Sequence, residues 1–291
     1  METKTIGILS LTAVMLVAVM TVPAMAYNID GDLDDWGLDE LKTIGNWNDP
    51  GAWVPNSPAY YKVEDNQDPR YSSYTGIHIQ GPPQSDYDEP EIQNENLEWV
   101  PQPYGGERFD IEAMYFDRDV SAGGDIYVAI IASSDYYNPL SGIADLRILL
   151  GGVEYGIVLS DHNGLNSGEV YKNPAWIPTP DRGWIICPHD YYRIDANSPG
   201  TPMGSGTVNT GSLPNDHSKS NYVVEISAPK TAFEDPDSGD LHLITWCAND
   251  RIDLEEVPFG EIPEFATIAI PAGIIFGLFY FYRRKRQSKE E

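Results

Sequence analysis

Near the start of the chain Asp30, Asp32 and Asp34 recur at every second residue, with Asp35 beside them. Hard cations such as calcium take several oxygen ligands, and alternating acids are one way a loop presents them. The EF-hand arrangement fails, because the sixth position is Asp35 where glycine is needed and the twelfth is Leu41 where a bidentate glutamate belongs. A structural calcium held by Asp32, Asp34 or Asp35 with the distant Asp110 or Glu112 stays open. Its rival is a turn capped by Asp30 with its neighbours in water. Asp110 and Glu112 also form a carboxylate pair, but residues two apart on a strand point the same way about 7 Å apart, which assigns neither an acid nor a base. The histidines His78, His162, His189, His217 and His242 fall in no metalloprotease pattern, and neither a nucleophile elbow nor a phosphate loop occurs. The expectation is a noncatalytic protein.

Trp47, Trp53, Trp99, Trp176 and Trp184, with Tyr60, Tyr61, Tyr191 and Tyr192, lie in or beside stretches of loop character. Flat rings stack on sugar faces while nearby polar groups fix the hydroxyls, which makes these tryptophans candidates for glycan stacking. Large rings are equally ordinary core material. The two cysteines, Cys187 and Cys247, exclude a cysteine-based zinc cluster and a disulfide-dense miniprotein. Paired, they close a loop of about sixty residues and contribute about 3–4 kcal/mol; two buried free thiols are the alternative.

The elements that must carry these groups read as strands. Residues 124–133, 144–152, 154–160, 221–229 and 241–250 are short, rich in β-branched and aromatic types, and bounded by Gly, Asn, Asp or Pro. Residues 108–117 alternate Phe109, Ile111, Ala113 and Tyr115 against Asp110, Glu112, Met114 and Phe116, the pattern of a half-buried strand. No window sustains a helical period. With 26 glycines and 23 prolines as punctuation, the expected fold class is all-β, an antiparallel β-sandwich. Residues 46–104 and 178–220 read as long loops where a binding surface would sit.

The formal charge is −27. The last nine residues carry five basic and two acidic groups and the first 26 one of each, so residues 27–282 bear −30. Such a surface repels nucleic acid and anionic lipid and suits a solvated exterior in a salty medium that screens self-repulsion.

Both ends address a membrane. Lys4, an apolar run over residues 6–22, and small residues at Ala24 and Ala26 fit a secretory signal peptide over residues 1–26, with Tyr27 the first mature residue. A retained signal anchor is the alternative. Residues 265–282 are mostly apolar and, as a helix, reach about 27 Å, enough to cross a bilayer core. Arg283, Arg284, Lys285 and Arg286 follow at once and hold that end in the cytoplasm. The body then faces outward, and no Ser/Thr stalk separates Asp253 from Pro263.

The tail, Pro263-Glu264-Phe265 followed by the apolar segment and the basic cluster Arg283 to Arg286, resembles the PEF-CTERM sorting signal of archaeal, mainly methanogen, surface proteins. The resemblance implies recognition by an archaeosortase, removal of the helix and transfer of the body to a membrane lipid; a plain transmembrane anchor is the alternative. The opening stretch YNIDGDLDDWG (residues 27–37) resembles the start of DOMON-like sandwiches, among them the family 9 carbohydrate-binding modules. In that likeness Ile29 and Leu33 point to the core, Asp30-Gly31 turns, and Trp36 packs beneath. Glu64-Asp65-Asn66, the stretch 109–115, Tyr155-Gly156-Ile157 and Cys247-Ala248-Asn249-Asp250 match further steps in the expected order, with Ala248 replacing a glycine.

These likenesses imply a jelly-roll sandwich over residues 27–257, a sorting signal over 258–291, and an envelope polysaccharide as ligand. A structural surface-layer protein, a calcium-dependent adhesion module and a secreted hydrolase are the rivals. Surface-layer proteins are alternative partners, and nucleic acid is not one.

Overall fold

The computed structural model describes residues 27–43, 46, 49–55, 59–65, 97–99, 111–119, 121, 123–132, 143–178, 191–213, 221–234, 236–245 and 251–260. The predicted leader (1–26) and the sorting tail with its apolar span (265–282) lie outside them, as do Trp47, Trp184, Asp110, Cys187 and Cys247. Among the described residues no helix is long and apolar enough to cross a membrane.

Three strands with nearly continuous apolar sequence form the centre: β3 (Ile111–Arg118), β4 (Asp125–Ala132) and β12 (Asn221–Pro229). They belong to a six-stranded sheet ordered β11-β12-β4-β3-β1-β2. Its outer members are β11 (Thr207–Leu213), β1 (Tyr60–Asp65) and β2 (Leu97–Trp99). Every pairing is antiparallel except β1 with β2. A second six-stranded sheet, antiparallel throughout, runs β10 (Thr201–Ser205), β7 (Glu169–Lys172), β6 (Val153–Ile157), β5 (Leu146–Leu150), β13 (Ser238–Ile244) and β14 (Arg251–Pro258) in spatial order. The all-β antiparallel expectation holds.

One core joins the two sheets. Met114, Phe116, Val128, Ile130, Val224 and Ile226 come from the first; Ile148, Tyr155, Leu241, Leu243, Ile252 and Leu254 come from the second. The inward residues of both sheets thus meet in one apolar layer. Phe259, just past β14, closes this core against Phe116 (5.0 Å between ring centroids) and Phe233 (5.8 Å).

The outer face of the first sheet is covered too. Tyr27, Leu33, Trp36, Leu38, Leu41 and Trp53 pack onto Ala113, Tyr115, Tyr127, Ala129, Ile131 and Val223 as a second core. Two 3₁₀ turns, Asp39–Lys42 and Pro50–Trp53, carry that cover. This corrects the half-buried reading of residues 108–117: seven of the eight residues of β3 are buried, because a layer lies on each face. The strict alternation also breaks. A register shift between Ile111 and Ala113 sends Ile111 to the same core as Met114 and Phe116, whereas Ala113 and Tyr115 face the other. A bulge of this kind inserts one residue and so exchanges faces beyond it.

The reading of 178–220 and 46–104 as loops is corrected in part. β9 (Tyr191–Ile194), β10, β11, β1 and β2 lie inside those stretches. Their Thr, Ser, Gly, Asn and charged residues hide the period, since a strand at or next to a sheet edge needs little apolar sequence to pair. β8 (Trp176–Pro178) and β9 form a small separate sheet. It packs on the outer face of the second sheet through a third apolar cluster of Val158, Leu165, Tyr171 and Ile194, with Trp176 against it.

Candidate functional site

The acidic opening segment is fixed by one glutamate that sequence reasoning passed over. Glu225 of β12 is wholly buried. Its Oε2 accepts from the backbone N–H of Asp30 (3.0 Å) and Gly31 (2.7 Å), and its Oε1 from Trp36 Nε1 (3.0 Å). Burial pushes the Glu225 carboxyl above its ordinary range, and the bonds from Gly31, Trp36 and Asp30 oppose that shift. Gly31 has φ +83°, and a Cβ there would meet the Thr210 carbonyl at 2.5 Å, so the turn needs glycine for conformation and for close approach. Leu33 and Trp36 are buried, and Ile29 packs against the same core. Tyr27 lies 4.1 Å from the Trp36 ring and 5.0 Å from Tyr127, and its hydroxyl donates to Asp117 Oδ2 at 2.7 Å.

The candidate calcium residues are placed as follows. Asp32 and Asp34 come together, but on Lys42, whose Nζ lies 2.7 Å from a carboxylate oxygen of each. The ammonium holds Asp32 below its ordinary value and is itself raised. Asp35 is turned away and accepts from Asn28 N–H at 2.7 Å. Glu112 is wholly buried on β3. Among the described residues no three His, Cys, Asp or Glu side chains converge as a metal site. Lys42, ten residues on from Asp32, is the group that sequence reasoning left out.

The aromatic candidates divide. Trp53 is 1% exposed in the second core and offers no free ring face. Tyr115 donates its hydroxyl to the Trp53 carbonyl at 3.1 Å and stacks on Tyr61 (5.9 Å). Trp99 lies in β2, its side chain outside the description. Trp176 is half-buried on the β8–β9 hairpin. Its ring lies over Gly156, where a Cβ would meet Ile194 Cδ1 at 2.7 Å and Trp176 Cη2 at 3.0 Å. The glycine of the Tyr155-Gly156-Ile157 motif is therefore the floor of a ring contact.

Around this hairpin the second sheet's outer face holds a row of polar groups. The register aligns Asp253 of β14, His242 of β13, Arg147 of β5 and Gly156 of β6. His242 Nδ1 lies 2.5 Å from Asp253 Oδ1, and Arg251 Nε donates to Asp253 Oδ2 at 3.1 Å. Arg147 donates through Nε to Glu154 Oε1 at 2.6 Å, and its guanidinium sits 5.1 Å from the centroid of Tyr191. Tyr191 is 40% exposed and Leu149 36%. The result is an exposed ring, held by a cation, beside paired charges, the mix by which a shallow site grips a polar ligand with flat apolar faces.

Behind the hairpin lies a buried clamp. Asp145 Oδ1 accepts from Leu159 N–H (3.0 Å) and Oδ2 from Ile194 N–H (2.9 Å), while His162 Nε2 lies 3.4 Å from Oδ2. Burial raises the Asp145 carboxyl, and His162 and the two backbone bonds oppose the shift. The clamp ties β9 to the start of β5 and explains why an aspartate sits in an apolar context.

A family model described as the PEF-CTERM archaeal protein sorting domain matches residues 262–286. The match takes in Pro263, Glu264, Phe265, Arg283, Arg284, Lys285 and Arg286, and is consistent with processing by an archaeosortase. No curated protein and no solved structure matches the chain. With this sorting domain at its end, the chain is a surface-anchored archaeal protein whose folded body faces the outside of the cell.

Proposed function

We propose that the body is a noncatalytic module, DOMON-like in architecture, that binds envelope polysaccharide at the surface to which its tail delivers it. The observation that carries the reading is the exposed Tyr191 ring over Arg147, flanked by Glu154, His242, Asp253 and Arg251 and by the edge of Trp176. Sugar rings present C–H faces that stack on aromatics and hydroxyls that take charge-assisted hydrogen bonds. The architecture is supported by two facing sheets opened by the Ile29-to-Trp36 segment. In this reading an archaeosortase acts at Pro263-Glu264-Phe265, and the body stays tied to lipid.

The test is binding of the protein to an array of archaeal envelope glycans, with Tyr191→Ala alongside. Retention of at least one glycan, weakened about tenfold by the substitution, is expected for a stacking ring. Retention of none, or retention that Tyr191→Ala leaves unchanged, rejects the reading. Processing is tested separately by the mass of the mature protein extracted from its membranes: loss of residues 1–26 and of the apolar span, with the mass of a lipid added, is expected. A mature protein that keeps residues 265–282 is a plain transmembrane anchor.

A further inference from the structure

Among the described residues the two large sheets have four edges, β2 and β11 on the first, β10 and β14 on the second. An edge strand presents unpaired N–H and C=O groups, and proteins blunt such edges with charges, proline, bulges or brevity. Three of the four are blunted. β2 has three residues, one of them Glu98. β10 contains Pro202, and its register slips between Pro202 and Gly204. β14 bears Arg251, Asp253, Glu255 and Glu256.

β11 has none of these devices. Its seven residues, TVNTGSL, pair with β12 in unbroken register from Thr207 opposite Ser227 to Leu213 opposite Asn221. It lies within residues 196–215, the longest run in the body without a charged side chain. Thr210 turns its N–H to the open edge, where Asn209 Oδ1 accepts it at 2.8 Å. Val208 and Ser212 point the same way by the two-residue period. From behind, the strand is braced by Gly31 against the Thr210–Gly211 backbone and by Asn209 Nδ2 donating to the Ile29 carbonyl at 3.2 Å.

We propose that β11 is a homotypic docking edge, along which a second copy of this chain adds its own β11 antiparallel to continue the sheet. Charge selects that occupant. Two bodies of −30 repel over most of their surfaces, and a cationic partner would be drawn to an acidic face. An uncharged edge is where two copies meet with the least repulsion. The strand is also compatible with a two-fold axis through Thr210: Val208 then exchanges hydrogen bonds with Ser212 of the second copy, and Thr210 with its own mate once Asn209 releases the N–H. The two acidic bodies still repel at longer range, so salt, by screening them, strengthens the contact.

The experiment uses the full-length protein in detergent, followed by sedimentation velocity over micromolar concentrations at low and at molar salt. A monomer–dimer equilibrium that shifts toward dimer with salt is expected, with the dissociation constant raised about tenfold or more by Ser212→Lys, which sets an ammonium on the edge. Thr210→Cys gives a readout independent of that variant's folding. The paired Cα atoms would lie about 5.5 Å apart, within disulfide reach, whereas Ser212→Cys pairs would be about 14 Å apart. Oxidation should therefore join Thr210→Cys dimers and leave wild type and Ser212→Cys unjoined. A protein that stays monomeric at every salt concentration, or a dimer that neither responds to Ser212→Lys nor crosslinks through Thr210→Cys, overturns the proposal.

Discussion

Glu225 shows how one side chain can hold an entire segment. Three donors from residues 30, 31 and 36 end on its two oxygens, and its removal strands the Gly31 N–H and the buried Trp36 Nε1 at once, while the Asp30 N–H keeps the Asn28 carbonyl. A buried donor left without an acceptor costs about 1–3 kcal/mol, and the two share one site, so their costs do not simply add. Glu225→Ala is expected to destabilise by about 3 kcal/mol or more and to lower Tm by about 6 °C or more. Thermal unfolding followed by circular dichroism checks this; a shift within error would mean that water replaces the carboxylate. By contrast, the Asp32–Lys42 and Asp34–Lys42 pairs are largely exposed, and such pairs contribute little. Two of the carboxylates that looked most like a cation site are the ones that share a lysine within the chain.

At the scale of elements, the fold covers the outer face of its first sheet with the opening segment and part of the second sheet's outer face with the β8–β9 hairpin. The hairpin depends on the absence of a side chain at Gly156. Gly156→Val is expected to push Trp176 and Ile194 off the sheet, costing about 1–3 kcal/mol as overpacking does. Changed tryptophan emission and faster hydrogen exchange in β9 at an otherwise native circular dichroism spectrum would report it. Unchanged exchange would show that the hairpin is seated by the Asp145 clamp alone. The hairpin also brings Tyr191 to Arg147, two residues that no sequence motif connects.

At the scale of the molecule, charge governs response to pH and salt. Burial raises Glu225 and Asp125, the latter with Asp119 adding to it, so the folded state binds their protons more tightly than the unfolded chain does. Stability from these groups grows as pH falls through their folded-state pKa values and is fully present below the ordinary values of 4.5 and 3.8. Asp32 and Glu234 are held low by Lys42 and Lys172, so their contribution is present above those same ordinary values and is lost as pH falls further. The Tm should therefore peak on the acid side of neutrality. At neutral pH, Tm should rise from low to molar salt as self-repulsion of the −30 body is screened. A Tm indifferent to salt would show that the acids are spaced widely enough not to matter.

What the chain discloses by itself are properties set by neighbours in sequence: an apolar span of bilayer length with basic residues at its end, apolar runs of strand length, and turn residues between them. These suffice for the surface address and for an antiparallel all-β body, because hydropathy, length and charge order act locally. Tertiary structure alone decided which strands are buried on both faces, where the β3 bulge exchanges inside for outside, that Trp53 is core while Tyr191 is exposed, and that Asp32 and Asp34 meet a lysine. It also decided that Glu225, nearly two hundred residues from Asp30, anchors the opening turn. Burial and pairing at such separations depend on which strands the topology makes neighbours, and local composition carries no record of that.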